Sequence, residues 1–315
     1  MKAFAIERYG PPEVLEYRDV PAPDLKPAHI LIKVHATSVN PLDFKIRRGE
    51  LRLLTGLRRP RIRILGFDVA GEVTETGDGV AAFQRGDQVY AFTGRAGGAD
   101  AEYLALPEGH AAKKPAGLSF WEAAAVPLAS LTALQALRDK GRISPGKEVL
   151  VNGASGGVGT FAVQIAKAFG AIVTGVCSSG NIDLVRSLGA DRVIDYHERD
   201  FTEDRGRYDI IFDAVAKKSF AACERALKPG GIYITTVPDF AHVLRTLRTS
   251  LRPGKKAAFV MVKPSCKDLN FIRELIDAGK IRPVIDRTFP LSQIAYAHRY
   301  CETGHARGKV VITVG

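Results

Sequence analysis

Glycines recur at Gly153, Gly156, Gly157 and Gly159, interleaved with Ala154, Ser155 and Val158, after the apolar run EVLVN and within a stretch that opens the amphipathic segment VGTFAVQIAKAFG. A strand that turns through glycines into a helix lets the backbone approach a pyrophosphate, and the helix start adds free N–H groups and the positive end of its dipole. The pattern predicts a dinucleotide site at Gly153, Ser155, Gly156, Gly157, Val158 and Gly159. About 20 residues further on, an NAD site usually has an Asp or Glu for the ribose 2'-hydroxyl. Here the sequence reads Cys177-Ser178-Ser179-Gly180-Asn181, with no acid before Asp183. Ser178, Ser179 and Asn181 can hydrogen-bond a 2'-phosphate that a carboxylate would repel, which points to NADPH over NADH.

Such a turn works only inside a sheet that holds it. From about Phe120 the texture is helical, and then the apolar runs EVLVNG, AIVTGVC, RVIDY, YDIIFDAV and IYITTV alternate with segments such as NIDLVRSLG and SFAACERALKPGG that read as helices. That alternation predicts βαβ units and a doubly wound parallel sheet of the Rossmann type, buried by helices on both faces. Before it, Ile30, Ile32 and Val34, or Val69 and Val73, alternate as in half-buried antiparallel strands, so the first third should be a mainly β domain. After the strand AAFVMV (257–262) and the helix DLNFIRELIDAG, the runs PVIDRTF and GKVVITV resume the first domain's texture. The chain should therefore leave one domain, build a second and return.

A hydrophobic content of 46% over 315 residues suits a globular protein with real cores. Cys177, Cys223, Cys266 and Cys301 are dispersed, which argues against a zinc knuckle or a secreted disulfide framework and for free thiols in a reducing cytoplasm. The first residues read as a strand and a turn, not a secretory signal, and no run approaches 18 apolar residues, so no transmembrane segment is expected. A net charge of +11 implies attraction to cofactor phosphates, nucleic acid or an acidic membrane without choosing among them. The segment Lys45–Arg63, KIRRGELRLLTGLRRPRIR, holds eight basic residues and one acid, and so seven of the eleven net charges. Lying between SVNPLDF and GFDVAG, it is expected to form a mobile loop or helix at the mouth of the active site.

The sequence GPPEVLEYRDVPAP, then SVNPLDFKIRRG, GFDVAGEVTETGDGVAAFQRGDQVYAF, WEAAAVPLASLTALQAL, NGASGGVG, SLGADRVIDY, LKPGGIYI and PVIDRTFPLSQIAYAHRYCETGHARGKVVI, in that order, resembles the zinc-free quinone oxidoreductase (zeta-crystallin-like) branch of the medium-chain dehydrogenase/reductase superfamily. The resemblance implies a GroES-like catalytic domain over 1–121, an NADP-binding Rossmann domain over 122–264 and a return to the catalytic domain over 265–315. It implies that Asn40, Asp43 and Lys45 face the nicotinamide and substrate cleft, with Thr132 near the nicotinamide, Tyr196 beside the adenosine, and Val215 and the segment from Thr235 to Val237 along the cofactor. The alternative reading of Asn40 and Asp43 is as the caps of a helix starting near Pro41. Where zinc-bearing relatives carry a Cys and a His, this sequence has Asn40 and Phe67, so no metal is expected.

The implied activity is NADPH-dependent hydride transfer to a quinone or to the C=C bond of an α,β-unsaturated carbonyl, in a cytoplasmic homodimer paired through AAFVMV. A protein that binds NADPH without catalysis, in a structural or nucleic-acid-binding role, is the competing expectation. It draws on the basic balance but on no recognised nucleic-acid motif.

Overall fold

The computed structural model describes residues 1–236, 246–249 and 253–314, which divide into two compact units. One comprises Met1–Leu128, Lys263–Asp277 and Pro283–Gly315; the other comprises Ala129–Val262 and Ala278–Arg282.

The first unit opens with β1 (Lys2–Ala5) and β2 (Glu16–Asp19), an antiparallel pair. Its main sheet contains β3 (His29–Val39), β4 (Asp68–Thr76), β5 (Gln88–Phe92), β6 (Tyr103–Pro107) and β7 (Ala111–Lys113). In β3, Ile30, Ile32, Val34 and Ala36 point to the core while Lys33 is exposed, the period-2 pattern of a sheet with one buried face. Past Ala36 the alternation stops: Thr37, Ser38 and Val39 are all buried, and polar side chains enter the interior.

The second unit holds β8 (Glu148–Asn152), β9 (Ile172–Cys177), β10 (Arg192–Asp195), β11 (Tyr208–Asp213), β12 (Leu227–Thr235) and β13 (Lys256–Phe259). All pairings are parallel and the order is β10-β9-β8-β11-β12-β13. The connections run outward in opposite directions from β8 and β11, which makes that pair the switch point where such sheets bind nucleotides. Val149, Leu150, Val151, Ile210, Ile211 and Phe212 are fully buried, as a continuous apolar strand requires. The chain then returns with β14 (Ile285–Pro290) and β15 (Lys309–Thr313), completing the first unit's order β14-β15-β3-β4-β5-β7. The β14–β15 pair is parallel in an otherwise antiparallel sheet.

Several elements are shorter than the sequence suggests. AAFVMV is a strand only to Phe259, which lies opposite Thr235, the last residue of β12; beyond it no partner strand continues among the described residues. SFAACERALKPGG supplies only the helical turn Phe220–Cys223 and a 3-10 turn, because Leu227 already starts β12 and the Pro-Gly-Gly that follows is taken up as a bulge against β11. The expected helix through WEAAAVPLASLTALQAL is interrupted: Phe120–Ala124, with a Ser119–Glu122 capping box, is separate from the helix that Pro127 begins. Val237 lies outside the described residues. No helix among the described residues is long and apolar enough to cross a membrane.

Candidate functional site

Two groups of side chains stand out, one in each unit. In the second unit every sequence-predicted cofactor residue before Val237, except Thr132, sits at or just past the C-terminal end of a strand, in the turn that follows it, or in the first turn of the helix Gly157–Ala168. Gly153 continues β8, Ser178 and Ser179 follow β9, Tyr196 follows β10, Val215 follows β11 and Thr235 ends β12. Gly153 adopts φ 80°, and a Cβ there would lie 2.5 Å from Val215 Cγ1, so glycine is what lets the two switch-point loops meet. Gly156 is the N-cap of the helix Gly157–Ala168 and has no side chain to cap it, leaving the first N–H groups for a ligand. A Cβ on Gly156 would meet only Gly153 O at 3.5 Å, so the space over this helix start is open. On Gly159 it would lie 2.0 Å from Gly153 O; this glycine packs the helix on the strand. Thr132 lies buried in the helix Pro127–Leu134.

Asn181 organises the neighbouring loop. Its Nδ2 donates to Ser155 Oγ (3.2 Å) and Ser178 Oγ (3.0 Å), which leaves both hydroxyl protons free to donate elsewhere. Its Oδ1 is buried without a partner among the described residues, an acceptor suited to a ribose hydroxyl. The unpartnered oxygen, the open space at Gly156 and the uncapped helix start together fit a dinucleotide. Sequence reasoning missed Asp195 at the end of β10, whose carboxyl is held below the usual range chiefly by the Ser179 hydroxyl and then by the His197 amide. Ser179 thus faces a carboxylate, and Ser178 and Ser155 are the better-placed donors for a phosphate. Tyr196 is exposed and its ring lies 4.3 Å from that of His197.

In the first unit Asn40 and Asp43 form a capping box on the helix Pro41–Arg48, as the helix-cap reading expects. Asp43 accepts from the Asn40 amide (2.7 Å) and, across the unit, from the Gly66 amide (2.9 Å). The Asn40 side chain is fully engaged: Nδ2 donates to Asp68 Oδ2 (3.0 Å) and to Ser38 O (3.3 Å), and Oδ1 accepts from Lys309. Lys309 also donates to Asp68 (3.1 Å), while Asp68 further accepts from Ser38 Oγ (2.5 Å) and the Leu128 amide (2.6 Å). The sheet dictates this meeting. Ser38 lies opposite Asp68 on β4, and Val39 opposite Val310 on β15, so the residues that follow and precede that second pair, Asn40 and Lys309, adjoin. Lys45 is half-buried and stands outside this network, without an ion-pair partner among the described residues. Phe67 is fully buried.

Beside this ion pair lies a second pair of carboxyls. Burial pushes Asp43 up to about 7 despite its two amide donors, and burial, aided by the charge of Asp43, raises Asp100 well above its ordinary value. Asp100 Oδ2 has no hydrogen-bond partner among the described residues. The folded state therefore keeps protons that the unfolded chain has lost, and this contribution to stability falls as pH rises from about 4 to about 7. His298, pushed down to about 3 by burial, acts in the opposite sense by penalising the fold below about pH 6.5. Comparing variants isolates the first effect. Asp100→Asn should gain stability on the wild type as pH rises from about 5 to about 8 in urea denaturation; a constant difference would show that Asp100 is ionised in the fold.

A βα switch-point sheet with a glycine turn, in a chain that also builds a mainly β unit closed by its returning end, is the architecture of the medium-chain dehydrogenases and reductases. Residues 26–116 match the alcohol dehydrogenase GroES-like domain, and residues 188–312 match the family described as zinc-binding dehydrogenase. The chain is 38% identical to mouse "NAD(P)H oxidoreductase RTN4IP1, mitochondrial", over 100% of its own length and 89% of that protein. It is 37% identical to tomato 2-methylene-furan-3-one reductase, covering 99% of this chain and 79% of that one. The solved quinone oxidoreductase of Coxiella burnetii superposes with a TM-score of 0.89 at 34% identity, covering 100% and 99% of the two chains. The chain belongs to the zinc-free quinone oxidoreductase branch of the medium-chain dehydrogenase/reductase superfamily. It is an oxidoreductase that uses a nicotinamide cofactor.

Proposed function

We propose that this enzyme uses NADPH to reduce a quinone or the C=C bond of an α,β-unsaturated carbonyl. The observation that carries this reading is the donor-rich loop around Asn181, which sits just past the end of β9 and leaves the Ser155 and Ser178 hydroxyl protons free to donate. The names of the tomato and Coxiella relatives, an enone reductase and a quinone oxidoreductase, support the two acceptor classes. When bound, the nicotinamide supplies a hydride. The chain's own residues hold the pyrophosphate at Gly156–Gly159, bind the ribose at Asn181 and the 2'-phosphate at Ser178 and Ser155, and fix the chain around Asn40 and Asp43. Charge developing on the substrate oxygen needs a donor or cation. With the Asn40 amide engaged, Lys45 is the candidate. Stopped-flow oxidation of NADPH against a panel of quinones and enones tests the reading, and no turnover with any of them would reject it.

NADPH should bind about tenfold more tightly than NADH, the yield of a charge-neutral donor set contributing about 1–2 kcal/mol. Ser178→Asp should reverse that order in titrations of both cofactors. Equal dissociation constants for the wild type would sink the claim.

We also propose that no zinc takes part, because the Lys309 ammonium occupies the Asn40 side chain and Phe67 offers only an apolar ring; one tightly held zinc per chain in metal analysis would refute this. The reading extends to a homodimer through the edge strand β13, which has a partner on one side only among the described strands, and to a cytoplasmic site suited to four free thiols. Light scattering checks the first and fractionation the second.

A further inference from the structure

Within the basic segment, three leucines are turned to solvent almost completely: Leu53 is 88% exposed, Leu54 79% and Leu57 69%. Single exposed leucines are ordinary, but three within five residues form a patch. The local structure holds them there. The short helix Arg52–Thr55 and the turn after it satisfy their polar groups inward. Tyr9 Oη donates to Gly56 O (2.6 Å) and lies 3.0 Å from Thr55 Oγ1, Thr55 is buried, and the Arg61 amide closes the turn on Thr55 O at 2.7 Å. Gly56, at φ 118°, is required, since a Cβ there would lie 2.2 Å from Arg59 O. Arg52 stacks on the Tyr9 ring, with its guanidinium carbon 5.0 Å from the centroid.

The result inverts the usual arrangement: polar groups anchor the loop and apolar ones leave it. Arg58, Arg59 and Arg61 flank the leucines, exposed and without ion-pair partners among the described residues. Arg48 and Arg63, by contrast, face Glu50 and Glu7. A funnel for a small anion, or a nucleic-acid surface, would use the arginines and have no need of the leucines. The surface that takes both at once has negative headgroups over an apolar interior.

We propose that the Leu53–Arg61 face docks on an anionic phospholipid bilayer, the leucines entering the acyl boundary and the arginines meeting the headgroups. The docking does not depend on which acceptor the enzyme reduces. The test is co-sedimentation of the whole protein with vesicles of phosphatidylcholine alone or mixed with phosphatidylglycerol. Binding to the mixed vesicles is expected to be about tenfold or more tighter than to phosphatidylcholine, and to weaken with salt. Leu53→Ser/Leu54→Ser/Leu57→Ser should lower it about tenfold, and Arg58→Ala/Arg59→Ala/Arg61→Ala should bring it to the phosphatidylcholine level. Amide exchange of the wild type with and without mixed vesicles gives a reading independent of whether the variants fold: protection should appear across residues 51–61. The proposal is overturned if the wild type stays in the supernatant, if the leucine variant folds and binds undiminished, if protection appears elsewhere, or if light scattering shows that the leucines instead join two copies of the chain.

Discussion

Replacing Lys309 with Met should destabilise the fold by about 3–5 kcal/mol, the cost of stranding a buried carboxylate without its counter-ion. The Lys309 side chain is 4% exposed and that of Asp68 0%, so water cannot take over the ammonium's place. Three other donors reach Asp68, from Ser38, Asn40 and the Leu128 amide; they keep its oxygens hydrogen-bonded but supply no full positive charge. Methionine retains most of the stem volume, which leaves the lost charge as the main change. Adding Asp68→Asn removes the stranded charge, and the double variant should recover at least half of the loss in denaturant unfolding. Additive losses would mean that the two groups do not act as a pair.

Gly159→Ala is expected to weaken binding of the nicotinamide cofactor about a hundredfold, because a methyl group 2.0 Å from Gly153 O and 2.8 Å from Ala154 Cα forces the helix start away from the turn. Both obstacles are backbone, so no side chain can swing aside. Gly156→Ala separates the cofactor from the fold. Its Cβ makes only an ordinary 3.5 Å contact and should leave the melting temperature unchanged, yet it fills space over the helix start and should lower affinity as well. Fluorescence titration with the reduced cofactor, alongside thermal melts, checks both. A Gly159→Ala protein with wild-type affinity would remove the glycine turn from the site.

The parallel sheet and its glycine turn were legible in the sequence because each reports on itself: a strand covered on both faces is one unbroken apolar run, and glycines mark where backbone approaches backbone. The Asn40–Asp68–Lys309 network was not. Lys309 stands 269 residues from Asn40 and reads as the opening residue of an ordinary strand, while Asp68 hides in the apolar run GFDVAG. A signal was available, since a Lys and an Asp each set into an otherwise buried strand should be paired with something. Choosing which strand supplies the partner needs the register of β15 on β3. Asp195 was missed for a related reason: the acid near the second-strand loop comes from β10, not from the loop itself. Strand ends such as Phe259 depend on where the neighbouring strand stops, which no local pattern records.

The position of Lys309 on β15 also governs the order of events during synthesis. Until that strand leaves the ribosome, the nascent first unit carries Asp68 with no cation to match it and β3 without its neighbour on that side. The second unit, whose sheet is built from residues 148–259, can close beforehand. The nucleotide-binding half should therefore mature first, while the strands made earliest wait, half-assembled, for the last one. A released chain truncated after residue 282 would be resistant to protease within its second unit and open to it within its first.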